Sequence, residues 1–173
     1  MKSNKGFSLV ELLIVVAIIL VIAAIAIPNL LQARISANES SAAGSLRTMG
    51  SAEAAYFAAY PAVGYSADIA SLGGPASCTP SPTTAGLIDS SLSSAIPGGA
   101  GKSGYYFLAT GVMTGGATTY TAYVVGAAPI VVNRTGNRDF CSYNDGVLRS
   151  KSGTTGDVPV PDVATCAAFP VAQ

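Results

Sequence analysis

A single carboxylate stands in a stretch of sequence where charge is costly. Glu11 is the only charged residue between Phe7 and Ile27, a span of 21 residues that is long enough to cross a bilayer as a helix. A carboxylate inside such a span is disfavoured by ~2.5 kcal/mol or more near the bilayer centre, so it points to function and requires a partner. An amine is the natural partner, and the sequence offers a way to make one. Lys2 and Lys5 precede the span, and the small residue Gly6 lies immediately before it. A secretory signal peptide carries its cleavage site after the apolar core. Cleavage after Gly6 would instead keep the core on the mature chain and free the Phe7 amine about one helical turn from Glu11. The plainer reading is a single-pass anchor whose Glu11 reaches up to the interface.

Other chemistry is sparse. The 173 residues include no histidine, which removes the usual general base and the commonest metal ligand and excludes Ser-His-Asp, Cys-His and His-metal sites within this chain. Half of the residues are hydrophobic and 10% are charged. Nine basic residues balance nine acidic ones; without Lys2 and Lys5 the count is seven against nine, and no basic patch remains to make nucleic acid the main partner. The run Gly98-Gly99-Ala100-Gly101-Lys102-Ser103 invites a phosphate-loop reading, but Ile96 occupies the position where the first glycine belongs, and a strand-like segment follows. Asp139, Asp145, Asp157 and Asp162 read as solvated loop acids without a spacing that demands a cation. Asn133-Arg134-Thr135 matches an N-glycosylation acceptor, a pattern common by chance. The three cysteines lack CxxC spacing, so no metal site is indicated. No cofactor is implied.

The elements that must position these groups begin with one long helix. Residues 12–27 are uninterruptedly apolar, and beyond Pro28 an apolar stripe continues through Leu31, Ile35, Ala42, Leu46, Met49, Tyr56 and Tyr60. Asn38, Glu39, Ser40, Arg47 and Glu53 fall largely off this stripe, and Pro61 ends it. A helix from Phe7 to Tyr60 would be roughly 80 Å long. Pro28 cannot donate its amide and crowds the preceding turn, so a kink or local melting is expected near residues 23–28. Residues 61–104 are rich in Gly, Pro, Ser and Ala and read as a surface connection with a short helix around residues 85–95. Strands follow at residues 105–112, 118–125, 138–143 and 147–150, with turns at Thr114-Gly115-Gly116 and Asn144-Asp145-Gly146. Together these predict an α+β fold in which one apolar face of an antiparallel sheet of about four strands covers the amphipathic half of the long helix.

The junction Lys5-Gly6-Phe7-Ser8-Leu9-Val10-Glu11-Leu12-Leu13, with its short basic leader and the apolar run that reaches Pro28, resembles the processing site of type IV prepilins and type II secretion pseudopilins. The resemblance is specific over about the first fifty residues and only outlined beyond. It implies that a prepilin peptidase cuts between Gly6 and Phe7 and methylates the new amine on Phe7. It also implies that Glu11 pairs with the Phe7 amine of a preceding subunit, so that an unpaired carboxylate signals addition of the next one.

The implied organisation is a leader over residues 1–6, a transmembrane and assembly helix over 7–28, an amphipathic half over 29–60, a variable connection over 61–104, and a sheet with C-terminal tail over 105–173. Disulfides near the C-terminus of many pilins suggest Cys141 with Cys166, although Cys78 with either remains open. The expected partners are further copies in a helical filament, minor pilins, and, indirectly, an assembly ATPase and an inner-membrane platform protein. Basic residues flanking a span stay in the cytoplasm, so the bulk of the chain would face the periplasm before assembly. The alternatives are a pseudopilin of a type II secretion system, or a single-pass periplasmic binding protein. An enzyme is disfavoured by the missing histidine and the low charge density.

Overall fold

The computed structural model describes residues 7–75, 77, 79–156 and 158–172; Lys2, Lys5, Gly6, Cys78 and Asp157 lie outside them. The first helix, α1, runs Leu9–Ala59. The chain divides into two compact units between Arg34 and Ile35, within this helix.

In the first unit every large apolar side chain from Leu9 to Leu31 is exposed. The segment is long and apolar enough to cross a membrane. Pro28 lies inside α1, and the helix is continuous through residues 23–28, so the expected melting does not occur. A proline deletes only one backbone donor, which leaves the surrounding ladder able to hold the turn.

The second unit packs the remainder of α1 against a four-stranded antiparallel sheet of order β1-β2-β3-β4. The strands are β1 Tyr105–Val112, β2 Ala122–Pro129, β3 Arg138–Tyr143 and β4 Arg149–Ser152. Tyr105, Phe107, Val125, Ala127 and Phe140 meet Ala42, Leu46, Met49, Ala52 and Tyr56 of α1 in the main core. Alternation along β1 puts its odd-numbered residues from Tyr105 to Ala109 inward, as a half-buried strand requires.

Three short helices, α2 Ile69–Leu72, α3 Ser90–Ser93 and α4 Val163–Ala167, each start at an aspartate whose carboxylate accepts a backbone N–H. At four or five residues they lack the periodicity that reveals longer helices; only α3 falls in a segment where the sequence suggested one.

Three expectations need correction. The second strand starts at Ala122 rather than residue 118, because the β-prone residues before it pair elsewhere. Tyr120 donates its N–H to Val63 O, and its carbonyl accepts from Tyr65 N, both at 2.9 Å. The fourth strand begins at Arg149 because Leu148 turns to pack on the core while its carbonyl accepts from Ala172 N.

The sheet is also covered on two faces, not one. Val124 and Cys141 face a second, smaller cluster with Val160, Cys166 and Phe169. That second cover explains why β2 is buried at nearly every position.

Candidate assembly site

Glu11 sits in the first turn of α1, and its surroundings follow from local sequence. Ser8 caps the helix: its Oγ accepts from Val10 N at 3.3 Å, and Glu11 Oε2 accepts from Ser8 N at 2.9 Å. This is a reciprocal capping box of the pattern Ser-x-x-Glu, which satisfies backbone donors that a helix start leaves open. Sequence reasoning missed it, although Ser8-Leu9-Val10-Glu11 carries the pattern in full.

The carboxylate is exposed, and among the described residues Oε1 has no donor. It therefore keeps a free lone-pair face directed outward while its other oxygen fixes the helix start. The positive end of the helix dipole favours the negative charge there. Phe7 precedes it with 88% of its surface exposed. Leu9, Leu12, Leu13, Val16, Ala17 and Leu20 line an open apolar groove of about 450 Å³ on the same segment. Such a surface has a free energy in water that only lipid or another apolar helix removes.

In the second unit two further carboxylates of α1 are used differently. Glu39 and Glu53 are buried, which overturns the reading that both lie off the apolar stripe. The stripe runs 35, 39, 42, 46, 49, 53 and 56, so the two glutamates fill the seven-residue gaps of the apolar pattern. Glu39 Oε1 accepts from Asn137 N at 2.8 Å, and Oε2 accepts from Arg138 Nε at 2.9 Å. Glu53 has no exposed surface, and both of its oxygens accept from Ser66, at 3.0 Å from the backbone N and 2.6 Å from Oγ. Burial raises its pKa, and the two bonds from Ser66 partly oppose the rise. The nearby Tyr123 hydroxyl is pushed up to about 12, mainly by its own burial and then by Glu53.

The remaining candidates fall as follows. Cys141 and Cys166 form a disulfide between β3 and α4. Asp139 is a buried strand residue paired with Lys151 at 3.4 Å, not a solvated loop acid. Asp145 pairs with Arg149 at 2.6 Å across the β3–β4 turn, which holds its carboxyl below the usual range, and Asp162 caps α4. Lys102 of the glycine-rich run pairs with Asp89 at 3.0 Å, and β1 follows it. Asn133 lies in an exposed turn with φ of 63°, and Thr135 Oγ1 of the same triplet bonds back to Val131.

Residues 1–27 match the family described as the prokaryotic N-terminal methylation motif. The chain is similar to the type IV wide pilus major component PilA4 of Thermus thermophilus, 62% identical over 39 residues that cover 22% of this chain and 30% of the relative. It is also similar to the type IV major pilin protein PilA of Myxococcus xanthus, 44% identical over 54 residues that cover 31% of this chain and 24% of the relative. The chain thus spans less than a third of the length of these curated relatives. No solved structure matches it.

Proposed function

We propose that this chain, a type IV pilin by its N-terminal methylation motif and by the relatives that share this part of it, is a structural subunit of a type IV pilus. The observation that carries the reading is the capped helix start. One outward carboxylate, Glu11, stands at the head of a helical segment whose large apolar side chains are all exposed through Leu31, just after a Gly6-Phe7 junction. Peptidase cleavage between Gly6 and Phe7 produces an amine that stays cationic after methylation, and Glu11 is the group in the span able to attract the corresponding amine of a neighbour. Apolar helices then leave the membrane for a bundle of like helices, a change that keeps their side chains out of water.

Before assembly the helix spans the inner membrane with Lys2 and Lys5 on the cytoplasmic side and the second unit in the periplasm. Pro28 is the joint at which the apolar half adjusts during packing. Minor pilins, an assembly ATPase and a membrane platform protein complete the machine. Mass spectrometry of the exported chain tests the processing step, with N-methylated Phe7 as the expected first residue; an intact Met1 in assembled material would defeat it. A Gly6→Leu variant should accumulate as an uncleaved membrane precursor, and surface fibres seen by electron microscopy in that strain would sink the reading.

A further inference from the structure

Four-stranded sheets end in two edges, and an edge with free N–H and C=O groups is a template for strand addition. Here both edges are occupied. Along β1, Phe107 N donates to Ala95 O at 2.7 Å and Gly111 N to Ala67 O at 3.1 Å, so the chain leading into the sheet closes that side.

Along β4 the cover is residues 170–172. Ser150 N donates to Pro170 O at 2.9 Å, Ala172 N donates to Leu148 O at 3.0 Å, and Arg149 opposes Val171 as an antiparallel bridge. The path to that edge crosses the outer face of the sheet. Val160 lies against Gly126 of β2 so closely that a Cβ there would come within 2.6 Å of Val160 N. α4 follows, then the Cys141–Cys166 disulfide, then Phe169 beneath Lys151. Apart from that covalent link the crossing segment buries Pro159, Val160, Cys166 and Phe169, a small apolar anchor.

We infer that residues 158–172 are a disulfide-held strap that closes the β4 edge, and that reducing the disulfide opens this edge to strand addition by a second copy of the chain. The step is thiol–disulfide exchange. A dithiol reductant transfers two electrons and two protons to the Cys141 and Cys166 sulfurs, its own sulfurs close into a disulfide, and the two cysteines become thiols. The opened edge offers Ser150 N and the Leu148 carbonyl, and the strand that matches them is the same 170–172 segment of another copy.

The test uses the full processed chain in detergent micelles, with and without dithiothreitol. Amide exchange should accelerate at least ~10-fold at Ser150 and Ala172 on reduction, while β1 and β2 amides stay protected. A Cys141→Ser, Cys166→Ser double variant should behave as the reduced chain does without reductant. Sedimentation should show self-association only after reduction, and Ser150→Pro should abolish that association, since it deletes the edge donor. Unchanged exchange at Ser150 after complete reduction overturns the strap. Loss of protection throughout the sheet also overturns it, because the disulfide would then be a general staple. An opened edge on a chain that stays monomeric, or association that survives Ser150→Pro, overturns the strand-addition half.

Discussion

Glu11 and Glu53 belong to one helix and meet opposite environments. Glu11 is exposed and uses one oxygen to cap the helix, while Glu53 has no exposed surface and both oxygens accept from a single serine. The same contrast runs through their units. Residues before Ile35 leave their large apolar side chains in the open, whereas the second unit gathers most of its own into a core and pairs its buried carboxylates internally. The first unit is chemically incomplete and depends on other molecules for its apolar cover; the second completes itself. On the proposed assembly reading, charge on the first acts between molecules, whereas charge on the second acts within one.

The sharpest way to break that division is Glu11→Ala, with Glu11→Gln beside it. Both should insert and be processed normally, since the span becomes more apolar, yet fibre yield should collapse. Losing one member of a buried ion pair leaves the other uncompensated, at a cost of ~3–5 kcal/mol. Wild-type fibre yield from a strain with no unmutated copy would show that Glu11 is an ordinary interfacial residue.

The opposite result is expected for Glu39→Ala. It removes the acceptor for Asn137 N–H and so should destabilise the second unit by ~2 kcal/mol in denaturant unfolding, while Arg138, partly exposed, contributes little. Processing at Gly6 should be unaffected. A smaller effect is expected for Ser8→Ala, which removes one half of the capping box and should loosen the first turn by ~1 kcal/mol, read as faster exchange of the Val10 amide. If Ser8→Ala lowered fibre yield as far as Glu11→Ala does, the cap rather than the intermolecular pair would be the function of Glu11.

How far the sequence revealed these roles depended on the kind of signal. β1 lies where alternation and aromatic content placed it, because it is a half-buried strand with a clear period; β3, buried at its four middle positions, was marked instead by the Asn144-Asp145-Gly146 turn that ends it. β2 slipped by four residues because Tyr120 and its neighbours have strand propensity that the chain at Val63–Tyr65 uses instead, a long-range choice that no local pattern records. Its unbroken apolar run from Tyr123 to Pro129 did carry the sign of a strand covered on both faces. Glu11 stood out because it was alone in an apolar run. Glu39 and Glu53 did not, since a charged residue near an amphipathic stripe is normally solvated, and only the seven-residue gaps in that stripe marked their places.

Glu53→Gln sharpens the comparison with the smallest expected effect. Glutamine has the shape to keep both bonds: its carbonyl can accept from Ser66 N, and its amide can donate to Ser66 Oγ, whose hydrogen rotates away. What changes is titration. The folded pKa of Glu53 is raised above the ordinary value of 4.5, chiefly by burial, so the folded chain binds its proton more tightly than the unfolded chain does. The stability this contributes is complete below the unfolded pKa and is lost as pH rises through the folded one. Above that point the wild type carries a buried charge with no cation among its hydrogen-bond partners, and the variant does not. Avoiding that buried charge favours the variant at higher pH, and the weaker neutral hydrogen bonds of glutamine offset part of the gain. The two proteins should therefore lie closest in stability near pH 4, and the glutamine variant should be the more stable at pH 7.5. Thermal unfolding of both chains across that pH range measures it. A variant less stable than wild type at pH 7.5 would mean that the Ser66 donors outweigh desolvation, and that the second unit prefers this carboxylate ionised.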